Sequence, residues 1–205
     1  MQLPVRSELP LPTVTISGPA SGSATASDAL ALEASASSPC QGVTASLQFE
    51  WTATDFESGD TISLGLSSRQ LQMRSLYLPP FALGADRSYE LAATVSVAGD
   101  AALTATGRYA LAVRALPMEA RIEGGDRDHA ADSPLELSAA ASYDPNLPST
   151  ATPPLQCTWR CVAGAAGSDA PCVSVSGAAL SLSSTVGVTL QPGVLAPGEY
   201  AFTAN

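Results

Sequence analysis

The sequence predicts an all-β chain built as two antiparallel β-sandwiches in tandem, residues 12–116 and 117–205, the second lacking its last strand. Three observations carry that expectation: short runs in which apolar and polar residues alternate, turn-forming clusters between them, and landmarks that recur at nearly constant offset. The 205 residues suit one large or two small domains. Alternation at period two sets every second side chain on one face of an extended strand. The many alanines favour helix by propensity alone. They sit among Ser, Thr, Gly and Pro, however, and no segment sustains an apolar stripe of helical period, so the pattern decides for strand.

Taken in order, Val14-Thr-Ile16-Ser-Gly18 opens the first unit and Asp28-Ala-Leu30-Ala-Leu32 follows. The next strand aligns Leu47, Phe49, Trp51 and Ala53 on one face. Tyr89 to Val97 and Tyr109 to Val113 alternate in the same way. Ser17-Gly18-Pro19, Ser58-Gly59-Asp60, Pro79-Pro80 and Ala98-Gly99-Asp100 punctuate these runs as turns. The second unit repeats the series with Ala120-Arg-Ile122-Glu-Gly124, Leu135-Glu-Leu137, Leu155-Gln-Cys157-Thr-Trp159 and Pro197-Gly-Glu-Tyr200. From Ile16 to Ile122 the offset is 106, from Trp51 to Trp159 it is 108, and from Tyr89 to Tyr200 it is 111. Two copies of a unit of about 100 residues, a usual sandwich size, explain this. A lone tryptophan on an alternating strand is then the core anchor between two sheets, which assigns Trp51 and Trp159 to structure. Tyr89 and Tyr200, each following a turn, are assigned to the core with their hydroxyls tucked onto backbone. After Tyr200 only Ala-Phe-Thr-Ala-Asn205 follows, so the second unit is expected to lack its last strand, which either a continuation of the chain past Asn205 or another segment would supply.

Composition excludes several classes. A formal charge of −10 and a pI near 4.3 argue against a nucleic-acid partner. The basic residues are nine arginines with no lysine, so neither a Schiff-base nor a P-loop lysine exists. His129 is the single histidine, through which any triad or zinc-protease site would have to pass. There is no G-x-S-x-G elbow, and the glycine-rich run 163–167 lacks the setting of a phosphate cradle. No enzyme activity and no cofactor are expected. No stretch reaches the roughly 18–20 apolar residues of a membrane span. The first residues lack the charge and apolar pattern of a signal peptide, and Met1 reads as an expression start or an excision point from a longer chain.

Cys40, Cys157, Cys161 and Cys172 fit an oxidising compartment and allow three pairings. A Cys161–Cys172 bridge would close the short loop after the Trp159 strand; a Cys40–Cys157 bridge and a buried free Cys157 remain alternatives. Zinc is disfavoured, because residues four apart on a strand stand roughly 13 Å apart. The acidic run Glu123–Asp132 invites a calcium reading. Arg127 and His129 interrupt it without the usual loop register, so a solvated turn is expected and no metal. Asp144-Pro145-Asn146 reads as a turn.

The run Leu135-Glu-Leu137-Ser-Ala-Ala-Ala-Ser142-Tyr-Asp144-Pro145-Asn146, the Trp159-Arg-Cys161 step and the following Cys172 resemble the receptor for egg jelly (REJ) region of polycystin-type proteins. Ala120 to Gly125 and Leu195 to Tyr200 also fit. The first unit fits more loosely, with Ser38-Pro39-Cys40 in place of Asp-Pro and Ala53 where the Trp-x-Cys cysteine would stand. The resemblance implies tandem Ig-like or fibronectin type III-like sandwiches in a large ectodomain, on the extracellular side of a plasma or ciliary membrane. It implies adhesion, ligand recognition or mechanical load as the role. Expected partners are other domains of the same ectodomain and an extracellular protein or glycan ligand, with membrane contact only through parts outside this sequence. The alternative from a different class is a carbohydrate- or calcium-dependent binding module of a secreted or surface adhesin. That reading asks for exposed aromatics on one sheet face, and only 5% of residues are aromatic.

Overall fold

A computed structural model describes residues 13–37, 46–98, 100–151, 155–164 and 169–205. The chain is all-β, with several antiparallel sheets, and divides into two compact units, residues 1–116 and 117–205.

Unit 1 is a two-sheet sandwich. Its first sheet orders β1 (Thr13–Ser17), β3 (Leu30–Ser37) and β6 (Ser75–Leu78) as β1-β3-β6. The second contains β2 (Ser23–Thr25), β4 (Leu47–Asp55), β5 (Thr61–Ile62), β7 (Arg87–Val97) and β8 (Asp100–Arg114), in the order β2-β8-β7-β4-β5. All pairings are antiparallel except β2 with β8, which is parallel. Alternation does what the sequence predicts: Trp51 and Ala53 on β4, Tyr89, Leu91 and Ala93 on β7, and Leu111 and Val113 on β8 point inward. They meet Leu30, Leu32, Leu76 and Leu78 from the first sheet. Burying side chains of that size contributes about 1.5–3 kcal/mol each before ordering entropy is counted. The closing strand is longer than the expected Tyr109–Val113 run, because its N-terminal half continues the β7 hairpin past a register shift at Ser96/Val97. Gly107 on β8 lies against β1, where a Cβ would come within 2.8 Å of Val14 Cγ1.

β2 and β6 were not apparent as strands in the sequence. The first is a three-residue Ser-Ala-Thr run, and the second follows a helical turn α1 (Ser68–Leu71). That turn is held by a capping box: Ser67 Oγ accepts from the Gln70 amide while the Gln70 side chain accepts from the Ser67 amide.

Unit 2 is thinner. β9 (Leu135–Ser138) pairs with β11 (Gly187–Leu190), and β10 (Trp159–Ala163) with β12 (Tyr200–Ala204), both antiparallel. Leu137, Ala139, Cys157, Trp159, Val188 and Leu190 form the core, flanked by half-buried Phe202 and Ala204. The opening landmark near Ile122 forms no strand. It is held instead by the Glu119–Tyr143 bridge and by Glu123 N–H donating to Ser138 O at 2.8 Å, before the chain turns at Gly124 and Gly125 with φ of 89° and 52°.

Candidate functional site

In each unit the tryptophan stitches one sheet to the other. Trp51 is 2% exposed, and its indole N–H donates to Met73 O at 2.9 Å, just before β6 begins. Trp159 is 7% exposed, and its N–H donates to Thr185 O at 2.8 Å, just before β11 begins. Both acceptors lie two residues ahead of the strand that lines the opposite sheet, so each ring anchors the entry of that strand.

The tyrosines occupy matching corners with different burial. The Tyr89 hydroxyl accepts from Gly84 N–H at 3.0 Å and donates to Gly84 O at 3.3 Å, and the residue is buried. The Tyr200 hydroxyl donates to Ala196 O at 2.8 Å. Tyr200 nevertheless corrects its core assignment: it is only half-buried and stands outside the core cluster. The physical reason lies in its strand's neighbours. Tyr89 has β4 on one side and β8 on the other, whereas β12 has only β10 among the described residues.

Cys161 and Cys172 are joined by a disulfide with their Cα atoms 5.5 Å apart. The bridge pins a narrow hairpin in which Ala163 N–H donates to Ala170 O at 2.8 Å and Cys172 N–H to Cys161 O at 3.3 Å. Leu180 N–H then bonds Cys172 O at 3.1 Å, tying the next loop to the same point. Cys157 is a buried free cysteine, and Cys40 lies outside the described residues.

Two polar clusters escaped the sequence reading. Asp55 is 2% exposed at the inward end of β4, its Oδ2 2.6 Å from Arg87 Nη1 and its Oδ1 accepting from the Glu57 amide at 2.8 Å. The Arg87 hydrogen bond, followed by that amide, holds the carboxyl below its ordinary value. Period-two counting from Trp51 through Ala53 does reach Asp55, but an acid before Phe-Glu-Ser-Gly reads as turn. In unit 2, Ser142 Oγ is buried and clamps residue 121, accepting from Arg121 N–H at 2.8 Å and donating to Arg121 O at 3.3 Å. The Arg121 guanidinium sits 5.2 Å from the Tyr143 ring centroid and pairs with Glu119 at 2.7 Å. Arg121 first, and then Tyr143, hold Glu119 below the usual carboxylate range, and Glu119 pushes the Tyr143 phenol up.

The remaining sequence candidates form surface turns. Asp144 Oδ1 accepts from the Asn146 amide at 2.9 Å. Across 123–132 every residue is exposed, His129 Nε2 lies 3.3 Å from Ser133 O, and Arg127 donates to Glu136 O at 2.6 Å. Among the described residues no three His, Cys, Asp or Glu side chains gather as a metal would require. Among the described residues the arrangement offers anchors, a covalent staple and exposed turns.

A family model described as REJ domain matches residues 32–205, from β3 through the whole of unit 2. No curated protein matches the chain.

Proposed function

The chain belongs to the REJ domain family, and on that premise we propose that it is a non-catalytic extracellular module of a polycystin- or REJ-type cell-surface or ciliary protein, whose role is to bear mechanical load. Adhesion or ligand recognition would be exercised through other domains of the same ectodomain or an extracellular protein or glycan partner. The Cys161–Cys172 bridge supports the compartment, since structural disulfides persist in oxidising surroundings.

The parallel pairing of β2 with β8 carries the mechanical reading. Ser23, Ala24 and Thr25 lie opposite Ala112, Val113 and Arg114, and Ala112 N–H donates to Gly22 O at 2.9 Å. One strand belongs to the entry of unit 1 and the other to its exit. When the ends of the unit are drawn apart, the two strands are pulled in opposite directions along their own axes. Their hydrogen bonds then load together in shear instead of opening one after another.

Single-molecule pulling of the 205-residue protein tests this. Ala112→Pro removes the N–H that faces β2 and leaves the β7-facing amides of Leu111 and Val113 in place. The expected result is a distinct unfolding peak for unit 1 that falls to lower force in the variant. A unit that yields at negligible force, or a peak that Ala112→Pro leaves unmoved, would sink the load-bearing role.

A further inference from the structure

The connection from β9 to β10 carries a tract in which prolines and hydroxyl side chains crowd together without a charge. Residues 145–154 hold four of the chain's 16 prolines, with Ser149, Thr150 and Thr152 among them, and no Asp, Glu, Arg or Lys. Both ends of the connection are pinned. At its start Tyr143 and Glu119 exchange two backbone bonds of 3.0 Å, and Asn146 N–H closes a turn onto Asp144 Oδ1 at 2.9 Å. At its far end Leu155 packs against the unit 2 core and Cys157 is buried in it. Between these anchors a short 3-10 turn, Ser149–Ala151, presents Ser149 and Thr150, both exposed. Thr152, Pro153 and Pro154 lie outside the described residues.

Composition and placement agree on one chemistry. Proline has no N–H to give a ladder, so a tract rich in it stays out of sheets and leaves its hydroxyls to an outside enzyme. Serine and threonine among prolines form the composition that carries O-linked sugar on exported chains. The Cys161–Cys172 bridge supports passage through such an oxidising compartment. Asn146 precedes Leu147 and Pro148 and heads no N-x-S/T sequon, so a sugar on this turn has to be O-linked. Hydroxyls on the strands of unit 1 are engaged instead, as where Thr94 bonds Thr106 at 3.0 Å and Thr13 bonds Ser37 at 2.6 Å. Thr150 stands at the middle of the turn, two residues after Pro148 and three before Pro153.

We propose that the Thr150 hydroxyl is an O-glycosylation acceptor, taking N-acetylgalactosamine from a nucleotide-activated donor. Thr150 Oγ1 attacks the anomeric carbon of the sugar as the bond from that carbon to the diphosphate breaks. The nucleoside diphosphate leaves with the electron pair, and the hydroxyl proton passes to a base of the transferase. The inference rests on the extracellular reading for its compartment and is independent of the load-bearing one.

The test incubates the oxidised, sugar-free 205-residue protein with UDP-N-acetylgalactosamine and a polypeptide N-acetylgalactosaminyltransferase. Intact mass and fragment spectra that keep the sugar on its residue read the outcome. One N-acetylhexosamine on Thr150 is expected; Thr150→Ser should keep an acceptor there, and Thr150→Ala should lose it. No addition, addition confined to Ser149 or Thr152, or addition only after the Cys161–Cys172 bridge is reduced would each overturn the proposal. The transfer in vitro does not depend on compartment. Secreted protein with both of those thiols free would therefore sink the extracellular reading, whatever the transferase does.

Discussion

Unit 1 and unit 2 suspend a tryptophan and a tyrosine from equivalent points and then close around them by different means. In unit 1, eight strands among the described residues surround Trp51, and the largest core side chains, Trp51, Leu32, Leu76, Leu78 and Leu91, are at most 2% exposed. In unit 2, four strands among the described residues surround Trp159, its core residues other than Ala139 keep 6–8% of their surface, and a disulfide fastens the hairpin that follows the Trp159 strand. Unit 1 has a single cysteine in its sequence and cannot close a bridge of its own. The difference teaches that the two indole–carbonyl stitches and the two tyrosine corners are the common frame. Strand number and covalent closure vary around that frame.

The largest expected effect comes from removing the stitches. Trp51→Ala should destabilise unit 1 by roughly 3–5 kcal/mol, in the range for large aromatic truncations in a packed core. Trp159→Ala should cost unit 2 less, because its looser surroundings can relax into the space. Urea unfolding followed by circular dichroism checks this, and the tryptophan each variant retains identifies the transition of the unaltered unit. Equal losses would break the contrast in packing.

Next comes the buried charge that, among the described residues, unit 1 alone carries. The lowered pKa of Asp55 means that its contribution is fully present above the ordinary carboxylate value of 3.8 and is lost as pH falls below it, toward the lowered folded value. Asp55→Asn should therefore lower the melting temperature of unit 1 at pH 7, and the gap from wild type should shrink below pH 3.8. Trp51 fluorescence in a Trp159→Phe background reads it. A gap that holds steady into acid would show that the Arg87 pair is not the cause.

The smallest effect separates the tyrosines. Tyr89→Phe removes the part-buried bond between the Tyr89 hydroxyl and the Gly84 amide and should cost about 1 kcal/mol, the usual scale of such a bond. Tyr200→Phe should cost less, because its bond to the exposed Ala196 carbonyl lies open to water. Thermal melts of the two variants rank them, and the reverse order would place Tyr200 in the core after all.

Much of unit 1 was legible because its strands are long enough for period two to show. Leu47 through Ala53, Tyr89 through Val97 and Tyr109 through Val113 each spell out an inward face. β2 and β6 were not, since three or four residues carry almost no period and their places are set by β8 and β3. Asp55 was hidden because its burial depends on Arg87, 32 residues away, to which no local pattern points. The tryptophans were legible as anchors, but their acceptors were not, because a carbonyl partner has no signature in sequence. Tyr200 misled for a related reason: a repeat transfers position faithfully but burial only where the neighbouring strand is repeated too.

The contrast between a strand-closed and a bridge-closed unit is tested most directly by calorimetry of the intact chain with and without reductant. The bridge spans 11 residues of sequence, and closing so short a loop is worth about 3 kcal/mol through the unfolded chain. Two transitions are expected, and reductant should move only that of unit 2, downward by more than roughly 10 °C. Transitions that shift together, or a unit 2 transition that reductant leaves in place, would contradict the account.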